Sequence, residues 1–375
     1  MTARTVPPFR ADHVGSLLRP PELTRARAER AAGRISAAEL RAVEDDAIRD
    51  AVALQERVGL QTVTDGEFRR GSWHMDFIYQ LGGIERAESA FTSHFRNEQG
   101  EITFTPSGIE VTGRVHLDHP VFAEDFTFVR EIAPEGMTPK LTIPSPSMVH
   151  YRGGRAAIDG TTYPDLEAFW SDVSAAYAAQ VAAIAASGCT YLQLDDTSLA
   201  YLNDPAQRAE IDERGEDAAH LHETYIRAFN DAIAQRPGSL TVTTHLCRGN
   251  FRSSWVAQGG YDFVAEPLFG QLEVDAFFME YDDDRSGTFE PLRFVPKGKL
   301  VVLGLVTSKK PELESKDDLK RRIEEAARFI DIDQLCLSPQ CGFSSTKEGN
   351  SLTFDEQRAK LALVVETADE VWGTA

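Results

Sequence analysis

Eight short β-rich runs alternate with long amphipathic stretches along this chain, and that alternation constrains its fold more than any other feature. The runs are His13–Leu18, Leu60–Asp65, Lys140–Pro144, Tyr191–Asp195, Leu240–Cys247, Ala276–Tyr281, Leu300–Val306 and Gln334–Ser338. Short apolar strands separated by helical lengths of chain are the pattern of a parallel sheet, whose neighbours need a crossover connection. The helices are legible. Ser36 with Glu39 makes a capping box, flanked by Ile35 and Leu40 as its hydrophobic staple. Leu166, Trp170, Val173, Tyr177, Val181 and Ile184 keep a helical spacing until Gly188, as do Leu221, Tyr225, Phe229 and Ile233 until Pro237-Gly238. Ser315 with Asp318, and Thr353 with Glu356, open the last two helices. The expected fold is α/β, a (β/α)8 TIM barrel, and 375 residues suit one such domain spanning 1–375.

The rhythm fails between Ala87 and Pro134. Ile102–Thr105, Ile109–Val115 and Phe126–Val129 read there as antiparallel strands joined by Gly and Pro turns, a β-hairpin excursion (87–134) inserted after the second strand. A shorter insertion, Asn250 to Gln271, is rich in Gly and aromatics, and the residues through Pro8 read as an arm. The net charge of -20 argues against nucleic acid or an anionic membrane as partner. No apolar run reaches the roughly 18 residues of a membrane span, and the N-terminus lacks a signal-peptide core. Four cysteines in this length do not make a disulfide framework. A cytoplasmic protein is expected, with self-association into a homo-oligomer left open.

In a (β/α)8 barrel the active site is assembled at the C-terminal rim from several strand ends. Polar residues collect there: His13 with Ser16, Asp65 with Glu67, Ser145, Asp195 with Asp196, His245 with Cys247, Glu280, Lys309 and Cys341. Strand alternation points His245 and Cys247 to the same face, roughly 6–7 Å apart along the chain. Imidazole and thiolate suit zinc, and Glu280 and Cys341 complete a set of four metal ligands. Each has a bland counterpart: a core histidine, a buried thiol, a surface acid beside Asp282-Asp283-Asp284, an inert loop thiol before Gly342. Cys189 and Cys336 read as packing.

Sulfur-rich ligation points to thiol chemistry. A free thiol has a pKa of roughly 8.5 and is mostly unreactive at neutral pH, whereas a metal-bound thiol is deprotonated. With two thiolates and one carboxylate the site is formally -1, and the carboxylate is the ligand an incoming thiol can displace. Hydrolytic zinc sites more often use His with carboxylate.

These residues resemble the catalytic domain of cobalamin-independent methionine synthase. The resemblance runs from Asp12-His13-Val14-Gly15-Ser16 to the Cys341 turn. It is carried by Val14-Gly15-Ser16, Asp65-Gly66-Glu67, Leu192-Gln193-Leu194-Asp195-Asp196, His245-Leu246-Cys247, the strand ending at Glu280, and Cys341-Gly342. It implies zinc held by His245, Cys247, Glu280 and Cys341, and the amino-acid part of homocysteine held by Ser16, Glu67 and Asp195. His13 joins them as a substrate-binding candidate. The chain also departs from the family. One barrel is expected where the full-length enzymes have two, the acidic-proline turn after the fourth strand is Asp196-Thr197, and the methylfolate-binding stretch has no clear counterpart. Lys309 aligns where the family carries a proton-relay histidine, so Lys309 and Glu280 are the catalytic candidates. These features make the chain similar to short single-barrel paralogues, which include epoxyalkane–coenzyme M transferase.

The expected function is a zinc-dependent S-methyltransferase or alkyltransferase that activates a homocysteine-like thiol as a zinc thiolate for methyl transfer, with a place in methionine biosynthesis. Its partners are a small-molecule thiol and an alkyl or methyl donor. The alternatives are thiol addition to an epoxide, a metal-free barrel decarboxylase or lyase, and a non-enzymatic zinc-holding barrel. Arg69, Arg70, Trp73 and His74, just beyond Glu67, are further candidates for the pocket wall.

Overall fold

The computed structural model describes residues 4–88, 92–97, 100–105 and 107–373. Six strands form one parallel sheet in chain order: Leu141–Pro144, Tyr191–Asp196, Thr241–Leu246, Ala276–Glu280, Leu300–Val306 and Leu335–Pro339. Two further contacts curl it into a barrel. Thr62–Val63 pairs in parallel with Thr138–Pro139, just ahead of Leu141. Ala11 bridges Leu337 in parallel, with Asp12 N donating to Leu337 O at 3.0 Å and Leu337 N to Arg10 O at 2.8 Å. Helices lie between the strands, and the (β/α)8 TIM barrel follows.

Side-chain alternation divides the core in two. Val14, Phe278, Val302 and Cys336 form a small cluster inside the barrel. Their strand neighbours Phe277, Met279, Val301, Leu303, Leu335 and Leu337 point outward into the large core beneath the helices. The helix starts follow from local chemistry. Ser36 and Thr353 each accept from the backbone of the glutamate three residues on, which reaches back to the cap, so the helices Ala37–Arg57 and Phe354–Trp372 begin in capping boxes. Asp165 caps Leu166–Ala186, and Ser315 caps Lys316–Ala326. Leu221–Ile233 forms as expected. Among the described residues no helix is long and apolar enough to cross a membrane.

Two expectations about the elements need correction. The run His13–Leu18 is not a regular strand, because Gly15 at φ +142° leaves the β region and the pairing is spent at Ala11. It is tied instead by Leu17 N to Gly66 O and by Thr64 Oγ1 to Gly15 O. Phe126–Val129 is not a strand but lies in the helix Ala123–Ile132. Phe126 and Val129 are buried one turn apart, acids occupy the first turn and Arg130 the last, as a helix dipole favours.

The excursion itself starts earlier than expected. Leu81–Ala87 pairs antiparallel with Gly108–Leu117, and Ser93–Asn97 with Gly100–Phe104. The second hairpin leans onto the loop that follows Cys247. Arg96 and Trp255 exchange backbone hydrogen bonds of 2.7 and 2.9 Å, and Asn97 Nδ2 donates to Ser254 Oγ at 2.9 Å. Phe95 and Phe104 pack on Phe251, the Phe104 and Phe251 rings stacking at 4.4 Å.

Candidate metal centre and substrate cavity

Three strand ends meet at one point of the rim. His245 closes the fifth barrel strand, directly opposite Asp195 on one side and Phe278 on the other. Cys247 N still donates to Asp196 O at 2.8 Å, so the strand geometry carries through and both side chains share a face. Glu280 ends the sixth strand. Cys341 follows the eighth, in a turn anchored by Gln340 N to Val306 O at 2.8 Å. That turn lies so close to Ser16 that a Cβ on Gly342 would come within 1.9 Å of Ser16 Oγ. Only glycine allows the approach.

One ligand atom from each of His245, Cys247, Glu280 and Cys341 lies within 4.8 Å of all the others, and all four residues are buried. The two sulfurs are 3.3 Å apart, too far for a disulfide. Cys341 Sγ donates to Glu280 Oε1 at 2.8 Å, and His245 Nε2 lies 3.5 Å from that oxygen. Tetrahedral zinc, with bonds of about 2.0–2.3 Å, sets its ligands roughly 3.3–3.8 Å apart. The 3.3 and 3.5 Å separations fall in that range, and the 2.8 Å one is a hydrogen bond whose proton an ion would replace. A second layer holds the ligands in place. Asp195 Oδ1 faces His245 Nδ1 at 3.3 Å, leaving Nε2 turned inward and without a hydrogen-bond partner. Gln340 Nε2 donates to Glu280 Oε2 at 2.8 Å.

The electrostatics fit a cation. Burial alone would lower His245, yet Asp195 and Glu280 overcome it and raise its pKa to about 10. Burial would raise Glu280, but His245 and Lys309 hold it well below the usual carboxylate range. Burial drives the Cys341 thiol well above its ordinary value, and the neighbouring Cys247 adds to this. Two sulfurs and two carboxylates thus draw positive charge, and the donor set fits a metal ion.

The centre opens into a cavity of about 460 Å³. His245 and Cys247 reach its wall, whereas Glu280 and Cys341 lie beneath. Ser16, Glu67 and Asp195 line it together. Glu67 sits at φ +60°, a left-handed position rare for a residue with a side chain, and its N–H donates to Asp65 Oδ1 at 2.8 Å. Thr142 Oγ1 donates to Glu67 Oε1 at 2.7 Å and Arg70 Nη1 stands 3.4 Å from it, while Oε2 is left without a partner. Burial pushes Glu67 up to about 7, against the pull of Arg70. Gln193 Nε2 orients Asp195 at 2.7 Å.

Two candidates sit elsewhere. His13 does not line the cavity. Its ring faces Thr62 and Gln55, between the barrel wall and the helix Ala37–Arg57, because Asp12 and Val14 on either side take the inward positions. Burial there lowers it to about 4. Lys309 is also absent from the cavity wall, lying buried behind the centre among Glu280, Cys341 and Asp282. Burial would lower its pKa, but those neighbours more than offset this and favour its charged form, and its buried Nζ has no hydrogen-bond partner. Ser145 and Ser147 bind Asp196 below the site, and Arg69 turns away to Glu44, Asp45 and Asp125. Trp73 and His74 do line the cavity.

Sequence reasoning missed Thr142, Gln340 and Arg152. Gln340 adjoins Cys341 in the same turn, and Arg152 follows the third strand end, so the rim position of both was a usable signal. It also missed the roof, formed by Phe95, Phe104 and Phe251.

Residues 9–370 match the family model of the cobalamin-independent synthase catalytic domain. The chain is 49% identical to the uncharacterized protein YxjG of Bacillus subtilis (strain 168), over 98% of this chain and 96% of that one. It is 24% identical to a protein named methionine synthase from Pyrococcus abyssi, covering 88% of this chain and 84% of that one. A crystal structure from Listeria monocytogenes, provisionally named a vitamin-B12 independent methionine synthase, superposes with a TM-score of 0.78 at 38% identity, over 98% and 99% of the two chains. Matched by the family model over residues 9–370, this chain belongs to the family of cobalamin-independent synthase catalytic domains.

Proposed function

We propose that this protein is a zinc-dependent S-methyltransferase that alkylates an aminothiol of the homocysteine type, in the cytoplasm and within methionine biosynthesis. One observation carries the reading: four buried ligand atoms lie within 4.8 Å of one another at the floor of a cavity that two carboxylates, Glu67 and Asp195, also face. The family and the relatives named methionine synthases support the same chemistry. His245, Cys247, Glu280 and Cys341 would hold the ion. Zinc, when bound, supplies the Lewis acidity that keeps a substrate sulfur deprotonated at neutral pH.

The chain's own residues do the rest. Glu67 and Asp195 accept hydrogen bonds from the substrate ammonium, the free Oε2 of Glu67 being available for it. Ser16 Oγ and the nearby backbone N–H groups hold the substrate carboxylate. Thr142 and Arg70 keep Glu67 aimed, and Asp195 links the ammonium site to His245. Phe95, Phe104 and Phe251 close the cavity from above and exclude water from the sulfur. Gln340 holds Oε2 of Glu280, and the charge of Lys309 favours the ionised carboxylate.

Glu67 and Asp195 favour an aminothiol over coenzyme M, which has no amine for them to bind. The test is X-ray absorption at zinc in the loaded protein with and without L-homocysteine. Replacement of an oxygen or nitrogen neighbour by sulfur is expected, and an unchanged coordination sphere would sink the reading. Thioether formation from coenzyme M and a small epoxide, without methylation of homocysteine, would transfer it to the epoxide-opening relative.

A further inference from the structure

One charged group facing the cavity has no use in the reaction described above. Arg152 follows the third strand by way of the turn Pro146–Val149 and lines the cavity wall. The other inward-facing arginines are fastened. Arg19 donates to the carbonyls of Glu67, Arg70, Ser344 and Thr346 and to Ser344 Oγ. Arg70 rests on Glu67 and Thr142, and Arg248 on the carbonyls of Arg285 and Ser286. Among the described residues the Arg152 guanidinium has no carboxylate or carbonyl partner. The groups that feel its charge are Tyr201, Tyr151, Cys247 and His74. The five donors of this half-buried guanidinium have no protein acceptor among the described residues and suit an oxyanion, whose two oxygens can meet the fork together.

The position of Arg152 separates it from the ammonium site. Glu67 answers chiefly to Arg70, Asp195 and Asp65. Arg152 instead acts on Cys247, a ligand of the proposed centre. The cavity therefore has an acidic pole at Glu67 and Asp195 and a basic pole at Arg152, with the sulfur site near the second. Arg86 continues the positive charge to the exposed lip, stacked 4.2 Å over Tyr79.

We propose that the second substrate, the alkyl donor, is an acid whose carboxylate, sulfonate or phosphate is gripped by Arg152. This rests on the thiol-alkylation reading. A cavity of about 460 Å³ must hold the aminothiol as well, which limits how much of the donor can enter it. Bidentate contact would fix the donor's orientation and hold its electrophilic carbon over the sulfur. The C–S bond would form as that carbon's bond to its leaving heteroatom breaks, the heteroatom keeping the electron pair and the thiol proton having passed to solvent.

The test titrates the zinc-loaded full chain, with L-homocysteine present, with acetate, methanesulfonate and methylphosphonate, and with uncharged acetamide as control. Ligand-observed NMR reports binding, and thermal melting checks the fold of Arg152→Gln and Arg152→Lys. The anions are expected to bind and acetamide not to. Arg152→Gln should weaken the anions at least tenfold, with Arg152→Lys in between, and the best-bound anion identifies the donor's acid group. Equal binding to Arg152→Gln, or no anion binding, overturns the proposal. X-ray absorption on the same samples separates the two claims. Homocysteine sulfur at zinc in wild type and Arg152→Gln alike keeps the functional reading whatever the anions do, and its absence from both removes that reading. Loss of homocysteine from zinc only in Arg152→Gln would give Arg152 to the thiol's own carboxylate and overturn the donor assignment.

Discussion

The two halves of the rim are built differently. The metal half comes from strand ends: His245 and Glu280 sit in hydrogen-bonded ladders, and Cys247 and Cys341 are at most two residues beyond. The substrate half comes mostly from loops, with Asp195 at the end of its strand as the exception. Glu67 is held in a left-handed turn by Asp65, Thr142 and Arg70, Ser16 follows the irregular Gly15, and the roof is borrowed from an inserted hairpin. The lesson is that regular strands fix a reactive centre, while loops can be remodelled around it to accept other substrates.

The sharpest way to break this contrast is to remove a strand-end ligand. Cys247→Ala or Cys341→Ala should cost about 3 kcal/mol of metal binding, taking a four-ligand zinc site to be worth roughly 10–16 kcal/mol. Competition with a chelating dye would read it, and a change below tenfold would show that the sulfur is not a ligand. The second layer should matter less. Gln340→Ala, which frees Glu280 Oε2, is expected to weaken metal binding by roughly 10- to 100-fold while leaving one ion bound per chain at saturation.

On the loop side the effects should fall on substrate and leave the metal alone. Glu67 ionises near 7 and is a carboxylate above that, while the substrate ammonium stays charged. Homocysteine affinity should therefore rise as pH climbs from about 6 to 8. Glu67→Gln should make that rise shallower, leaving the part due to loss of the thiol proton, and cost about tenfold at the upper end, with zinc content unchanged. Calorimetry across that range checks both, and an unaltered slope in the variant would remove Glu67 from the ammonium site. The smallest effect belongs to the roof. Phe104→Ala should lose about 0.5–1.5 kcal/mol of ring packing against Phe251, seen as faster amide exchange in 93–104 with no change at the strands.

How much the sequence revealed follows the same division. The strand at Leu240–Cys247 was legible because period-two alternation sets the direction of every side chain, so one register places His245 and Cys247 together. The capping boxes at Ser36 and Thr353 were legible because the contacts that make them are three residues apart. His13 was misjudged for lack of a register: a shift of one residue exchanges inside and outside, and nothing local distinguishes Asp12 from His13. Phe126–Val129 was misjudged because a short apolar run fits either period. Lys309 has the right distance from its strand end, but whether it turns toward the cavity or behind Glu280 depends on packing with Asp282 and Cys341. Arg152 lies in the loop after the third strand end, so its place at the rim was legible, while the direction of its side chain depends on tertiary contacts.

The pairing of Arg96 with Trp255 carries a further consequence. It makes the roof and the segment leaving Cys247 one mechanical piece, stitched at the backbone and again through Asn97 and Ser254. Lifting the hairpin to admit a donor would pull on the polypeptide next to a metal-binding sulfur. Any displacement of the hairpin would therefore carry the segment after Cys247 with it.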